Sequence, residues 1–214
     1  MDRFFDANNP VMKALSRMVD MAVLNLMTIA CMIPIVTAGA SITAMNNVLI
    51  HIVRKDETYV WKMFLTSFRQ NLKQGIWMTL LLILLCIVLY VDLNISRNTS
   101  ITLGPLLSLL LLALFCVFAM VASYLFPLQA QFENTIRGTL KNALFMSIWH
   151  LPYTLVILLL NLLPVLLFFL SPVLFTMSLI GWALLGVAGV AYLNSRLVVK
   201  IFDRYIPEEE KSLE

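Results

Sequence analysis

Gly104–Phe126, read as GPLLSLLLLALFCVFAMVASYLF, contains no charged residue, and its only oxygen-bearing side chains are Ser108, Ser123 and Tyr124. A hydrocarbon layer about 30 Å thick needs about 20 apolar helical residues at about 1.5 Å each, so this stretch is long enough to cross a bilayer. The rest of the chain has the same character. Of its 214 residues, 61% are hydrophobic and 13% charged, against about 45–50% and about 25% in a soluble domain. Lipid is therefore the expected solvent. No Ser/Gly-rich or Pro-rich linker divides the chain, which reads as a single transmembrane domain over 1–214.

Working outward, the same length test selects Gly75–Val91, Leu151–Leu170 and Val173–Leu193, with Met18–Val36 a slightly more polar member of the set. Met18–Val36 is longer than the roughly 7–15 apolar residues of a secretory leader and carries Asp20 and Asn25, so it reads as a span. The segment Pro34–Ser41 reads as a reversal, with Gly39 free to take unusual dihedrals and Thr37 or Ser41 available to cap the next helix. That helix, about Ala38–Val53, is only moderately apolar and holds Asn46 and Asn47.

Charge decides whether it spans. If it does, Arg3, Lys13, Arg17, Arg54, Lys55, Lys62, Arg69, Lys73, Arg137, Lys141, Arg196, Lys200, Arg204 and Lys211 share one side and only Arg97 is opposite. If it does not, Arg3, Lys13 and Arg17 change sides and the bias weakens. Because Lys and Arg in short loops orient helices toward the cytoplasm, the expectation is an all-α bundle of six spans with both termini cytoplasmic; five spans is the alternative. The outer loops are then Pro34–Ser41, Asp92–Leu103 and Ser171-Pro172.

Two inner segments carry an amphipathic pattern suited to the headgroup plane. In Arg54–Gln74, Val60, Phe64, Phe68 and Leu72 recur every four residues, with Lys62, Arg69 and Lys73 on other faces. Gln129–Asn142 repeats the device with Phe132, Ile136 and Leu140 beside Arg137 and Lys141. Trp77 and Trp149 fall where indole rings favour the membrane interface.

The order and spacing of short segments resemble the YesL family, bacterial membrane proteins classed as a domain of unknown function. The segments are Leu24-Asn25-Leu26, Ile33-Pro34-Ile35-Val36-Thr37-Ala38-Gly39-Ala40, Phe64, Phe68 to Gln74, Phe126-Pro127-Leu128, Phe132-Glu133-Asn134, Leu140 to Leu144, and Leu151-Pro152. They extend over roughly Phe4 to Tyr205. The resemblance implies a helical bundle in the cytoplasmic membrane of Gram-positive bacteria, encoded near carbohydrate importers of the ABC type. It implies no catalytic, cofactor or metal residues.

The residues alone point the same way. His51 and His150 have no carboxylate or cysteine at ligand spacing, Cys31, Cys86 and Cys116 sit singly in apolar runs, and there is no Gly-rich phosphate loop. From Asn142 to Ser195 the chain carries no charge. We therefore expect no enzyme, no cofactor, no metal and no nucleic-acid partner. The candidate residues are polar or small: Asn25, Asn46, Asn47 and Asn161 for a polar cavity or inter-helix hydrogen bonds, and Ala40, Ala44, Gly186 and Gly189 for close helix packing. Lys62, Arg69, Lys73, Arg137 and Lys141 are candidate contacts for a cytoplasmic partner, the permease or ATPase of an importer. The function expected first is an accessory or regulatory partner of a carbohydrate ABC importer. An independent small-solute or oligosaccharide transporter or channel is the alternative, and a membrane sensor a third.

Overall fold

The computed structural model describes residues 10–55, 59–98 and 104–205. These form helices α1 (Pro10–Met32), α2 (Ala38–Arg54), α3 (Val60–Asn98), α4 (Gly104–Gln131), α5 (Ile136–Trp149), α6 (Leu151–Leu170), α7 (Pro172–Gly181) and α8 (Val187–Phe202). A 3-10 turn, Ile35–Thr37, joins α1 to α2, and a π turn, Trp182–Gly186, makes α7 and α8 one continuous rod. Among the described residues, six helices are long and apolar enough to cross a membrane: Leu15–Met32, Ile35–Arg54, Val60–Ile95, Leu106–Gln131, Leu151–Leu170 and Pro172–Phe202. The protein is an all-α, multi-pass membrane protein. Arg3 and Lys211 of the charge count lie outside the described residues, as do the side chains of Lys13 and Arg97.

Helix α2 is the centre of the bundle. More than half of its residues are buried (56%), against at most 17% in the other five spans. This explains its modest hydropathy, since a helix wrapped by protein meets side chains on nearly every face and need not be lipophilic all round. It runs antiparallel to α1, because Ser41 near its start donates to the Thr28 carbonyl near the end of α1 (2.9 Å). At its other end Arg54 pairs with Asp203 after α8 (3.0 Å) and donates to Gln131 at the end of α4 (3.4 Å). Both described ends of the chain therefore lie toward the end of α2 that carries Arg54.

Several boundaries differ from the sequence reading. Val60–Gln74 is not a separate helix in the headgroup plane; it is the first part of the 39-residue α3. Nothing between Lys73 and Trp77 breaks a helix, because Gly75 faces α2 and the apolar row Val60, Phe64, Phe68 continues without interruption. At about 1.5 Å per residue α3 is roughly 58 Å long, nearly twice the hydrocarbon thickness of about 30 Å. The expected outer loop Asp92–Leu103 is shorter for the same reason, since α3 continues to Asn98. In Gln129–Asn142, α4 persists through Pro127 to Gln131, and Thr135 caps α5 by accepting from the Gly138 amide (3.3 Å). Here the amphipathic segment is a helix of its own, broken from α6 at His150.

The first reversal is also built differently. Thr37 does not cap α2; its hydroxyl donates backward to the carbonyls of Cys31 (2.7 Å) and Pro34 (2.8 Å), closing the end of α1. Gly39 is helical, and no described glycine has positive φ. Its role is closeness. A Cβ at Gly39 would meet the Thr79 hydroxyl and stand 2.6 Å from the Gly75 carbonyl, and a Cβ at Gly75 would stand 2.6 Å from the Ala40 amide nitrogen. Thr79 uses the gap to accept from the Gly39 amide (2.9 Å) while donating to the Gly75 carbonyl (2.8 Å).

Two apolar clusters fill the interior. Leu24, Met45, Val48, Leu49 and Phe64 join α1, α2 and α3, with Ala188 and Ala191 from α8. Met78, Tyr124, Leu125, Ile157 and Phe202 join α3, α4, α6 and α8. Large side chains such as Leu109, Leu110, Phe169, Leu170 and Met177 point outward, as a lipid-facing surface requires.

Gly75→Ala should separate α2 from α3 and lower stability by about 1–3 kcal/mol, the usual effect of overfilling a packed contact. Gly189→Ala, with nothing within 4 Å of the added carbon, should be neutral or mildly stabilising. Reversible unfolding in mixed detergent micelles, with equal losses for the two variants, would contradict this assignment.

Candidate functional site

Residues of α1, α2, α4, α6, the π turn and α8 surround a cleft of about 370 Å³. Asn46 of α2, Ser123 of α4, Asn161 of α6 and Asn194 of α8 supply its polar side chains. Apolar walls include Met45, Phe126, Val190 and the indole of Trp182, and no charged side chain is among the described residues that line it. The polar groups are linked. Asn194 Nδ2 donates to Asn161 Oδ1 (2.7 Å), and Asn161 Nδ2 reaches Ser123 Oγ (3.4 Å). Asn46 donates to the Ile42 carbonyl of its own helix (2.8 Å). Asn194 is 9% exposed and Asn46 6%, whereas Asn161 is exposed. The Oδ1 atom of Asn194 accepts no hydrogen bond, nor is the buried hydroxyl of neighbouring Ser195 bonded.

Asn25 does not line this cleft. It is fully buried (0%) and holds the π turn that shapes one wall. A π turn carries one residue too many for the regular ladder and leaves backbone groups without their usual partners. Asn25 Nδ2 donates to the carbonyls of Trp182 (3.1 Å) and Ala183 (2.6 Å), and its Oδ1 accepts from the Ala188 amide (2.7 Å). A primary amide offers two donors and an acceptor in one plane, which is what this site needs. Gly186 completes the arrangement: a Cβ there would stand 2.6 Å from Cδ2 of the Trp182 ring, so the missing side chain is the seat of the indole.

The remaining sequence candidates are dispersed. Asn47 faces a second groove of about 390 Å³ with Tyr59, Lys62, Thr66, Ser67 and Gln70. Ala40 and Ala44 are fully buried, Ala40 against Gly75. Gly186 contacts Trp182 of its own helix, and Gly189 has open space before it. Lys62, Arg69, Lys73, Arg137 and Lys141 are all exposed, and none meets a carboxylate among the described residues. Lys141 instead sits 5.9 Å from the centre of the Phe145 ring. His51 lies in the last turn of α2. His150 stands at the α5–α6 break, edge-on to Tyr205 at 6.0 Å, with its Nδ1 buried and unbonded.

Sequence reasoning missed Asn194, Ser123 and Trp182. A signal for the first existed, since Val187, Val190, Ala191 and Asn194 fall at helical spacing on one face. The chain of buried polar contacts Thr43–Gln129–Asn71 (3.4 Å each), which ties α2, α4 and α3 together, was also not evident.

Replacing Asn25 by Ala removes three hydrogen bonds and leaves buried backbone groups unpaired, each a penalty of about 1–3 kcal/mol. We expect Asn25→Ala to unfold at markedly lower denaturant than Asn46→Ala, whose side chain bonds only within its own helix. A scan of detergent-solubilised variants in which Asn25→Ala was the milder of the two would refute the clamp.

Residues 21–93 match a family described as "Protein of unknown function, DUF624". The match covers the α1–α2 hairpin and α3 as far as Leu93, including Asn25, Asn46 and the Gly39–Gly75 contact. No curated protein and no solved structure matches the chain. The similarity links the chain, distantly, to a family of membrane proteins whose function is not known.

Proposed function

We propose that this chain is a YesL-like protein of the cytoplasmic membrane, not an enzyme, that serves a carbohydrate ABC importer as an accessory or regulatory partner. The supporting observation is the set of exposed cations on α3 and α5: Lys62, Arg69, Lys73, Arg137 and Lys141, none of which meets a carboxylate among the described residues. Basic residues mark the cytoplasmic side, so this is where a permease loop or an ATPase subunit would dock. Electrostatic complementarity of such a face governs association rate and partner choice. The order of the YesL-like segments and the family match over 21–93 support the same setting.

Purification of the tagged protein from native membranes in mild detergent should recover importer subunits. The triple variant Lys62→Glu, Arg69→Glu, Lys73→Glu should lose them several-fold while remaining in the membrane. Cysteines placed at Lys62 and Lys141 should react with an impermeant reagent only from the cytoplasmic side. Intact importers in the extract with none bound to the wild-type protein would overturn the proposal.

A second reading, an independent carrier or channel for a small solute, is supported by the cleft among α2, α4, α6 and α8. Purified protein in sealed vesicles should then raise solute uptake above that of empty vesicles. Uptake equal to the empty control would remove it.

A further inference from the structure

We propose that the cleft binds a small, uncharged, hydroxyl-rich molecule, a polyol or a sugar ring, held by Asn46, Asn161 and Asn194 and seated against Trp182. The inference rests on reading this cleft as a solute site, and it assigns the ligand's chemistry.

Three properties of the lining select that class. First, no charged side chain is among the described residues that line it. An ion brought into it would lose its hydration with no opposite charge to meet, a penalty of several kcal/mol in a low-dielectric site. Second, the mostly apolar lining carries a cluster of polar groups. Amides and a hydroxyl from four helices converge on it, and their hydrogen-bonding capacity is incompletely used. Asn46 makes one hydrogen bond, through Nδ2, and Asn161, although bonded to Asn194 and Ser123, is exposed. Polar groups left without partners in an apolar medium are unfavourable by about 1–3 kcal/mol each. A ligand bearing several hydroxyls, each both donor and acceptor, satisfies them. Third, the remaining wall is apolar and partly aromatic, with Phe126 and Trp182. A sugar ring or polyol has that same division, hydroxyl edges beside a face of C–H groups.

The aromatic wall is also built to stay in place. Asn25 grips the Trp182 carbonyl (3.1 Å), and Gly186 leaves the space in which the indole lies. Were the π turn to relax into a regular helix, the residues beyond it would rotate by about 100°, the angle per residue of a 3.6-residue turn, and Asn194 would leave the cleft. Asn25 and Gly186 are therefore positioning residues for this site.

The test is equilibrium binding to the full chain in lipid nanodiscs, read by tryptophan fluorescence and calorimetry. The probes are glucose, maltose and sorbitol, with gluconate and glucosamine as charged counterparts. We expect saturable binding of at least one neutral probe, and gluconate and glucosamine at least tenfold weaker than glucose. Asn161→Ala and Asn194→Ala should each weaken binding roughly tenfold, equivalent to about 1.4 kcal/mol. Gly186→Ala should weaken it by displacing the indole, and Ser123→Ala serves as a second probe of the polar chain should an asparagine variant fail to fold. Unfolding midpoints measured alongside separate lost binding from lost structure. Equal affinity for charged and neutral probes, no binding of any neutral probe by folded protein, or unchanged binding in the folded variants would overturn the inference. Charge-discriminating binding without flux in vesicles would remove only the carrier reading. Flux indifferent to charge would remove only this one.

Discussion

In hydrocarbon a backbone amide or carbonyl that loses its helical partner has no water to turn to, so every irregularity must be satisfied from within the protein. The π turn at Trp182–Gly186 is the point where that constraint is most severe, and Asn25 answers it with three hydrogen bonds from a single side chain. The consequence reaches beyond local repair. By holding the wide turn, Asn25 ties α1 to the last transmembrane rod and fixes the azimuth at which α8 presents Ala188 and Ala191 to the core and Asn194 to the cleft.

The same constraint accounts for the arrangement around α2. Its polar residues are mostly engaged: Ser41 with α1, Thr43 with the Gly39 carbonyl and Gln129, Asn46 with the Ile42 carbonyl. Its first turn approaches α3 closely because Gly39 and Gly75 have no side chains to keep the backbones apart. Such contacts replace the hydrophobic effect, which offers little drive between helices already in an apolar solvent. The outer helical faces are given over to Leu, Phe and Met.

One end of α2 carries the Arg54–Asp203 pair, and its middle contributes to a cleft whose described lining holds no charged side chain and bears amide groups from α2, α6 and α8. Because the two features lie on different parts of the bundle, a role at the cytoplasmic face and a ligand within the bundle are compatible. Helix α2 belongs to both, since it contributes Asn46 to the cleft and Arg54 to the basic end.

The amino-acid sequence by itself determined the helical class and the six apolar segments, because hydropathy acts over a window of neighbouring residues. It marked Asn25, Asn46 and Asn161 as polar groups in an apolar setting, but did not separate the clamp from the cleft. Only the tertiary structure decided that Asn25 meets Ala188, 163 residues away, that Asn161 meets Asn194 and Ser123, and that Gly39 and Gly75, rather than Gly186 and Gly189, allow backbones to touch. It also decided that α3 is one helix and that α7 and α8 join through a π turn. Local periodicity gives the face on which a residue lies, but which helix that face meets, and at what depth, depends on packing among segments distant in the chain.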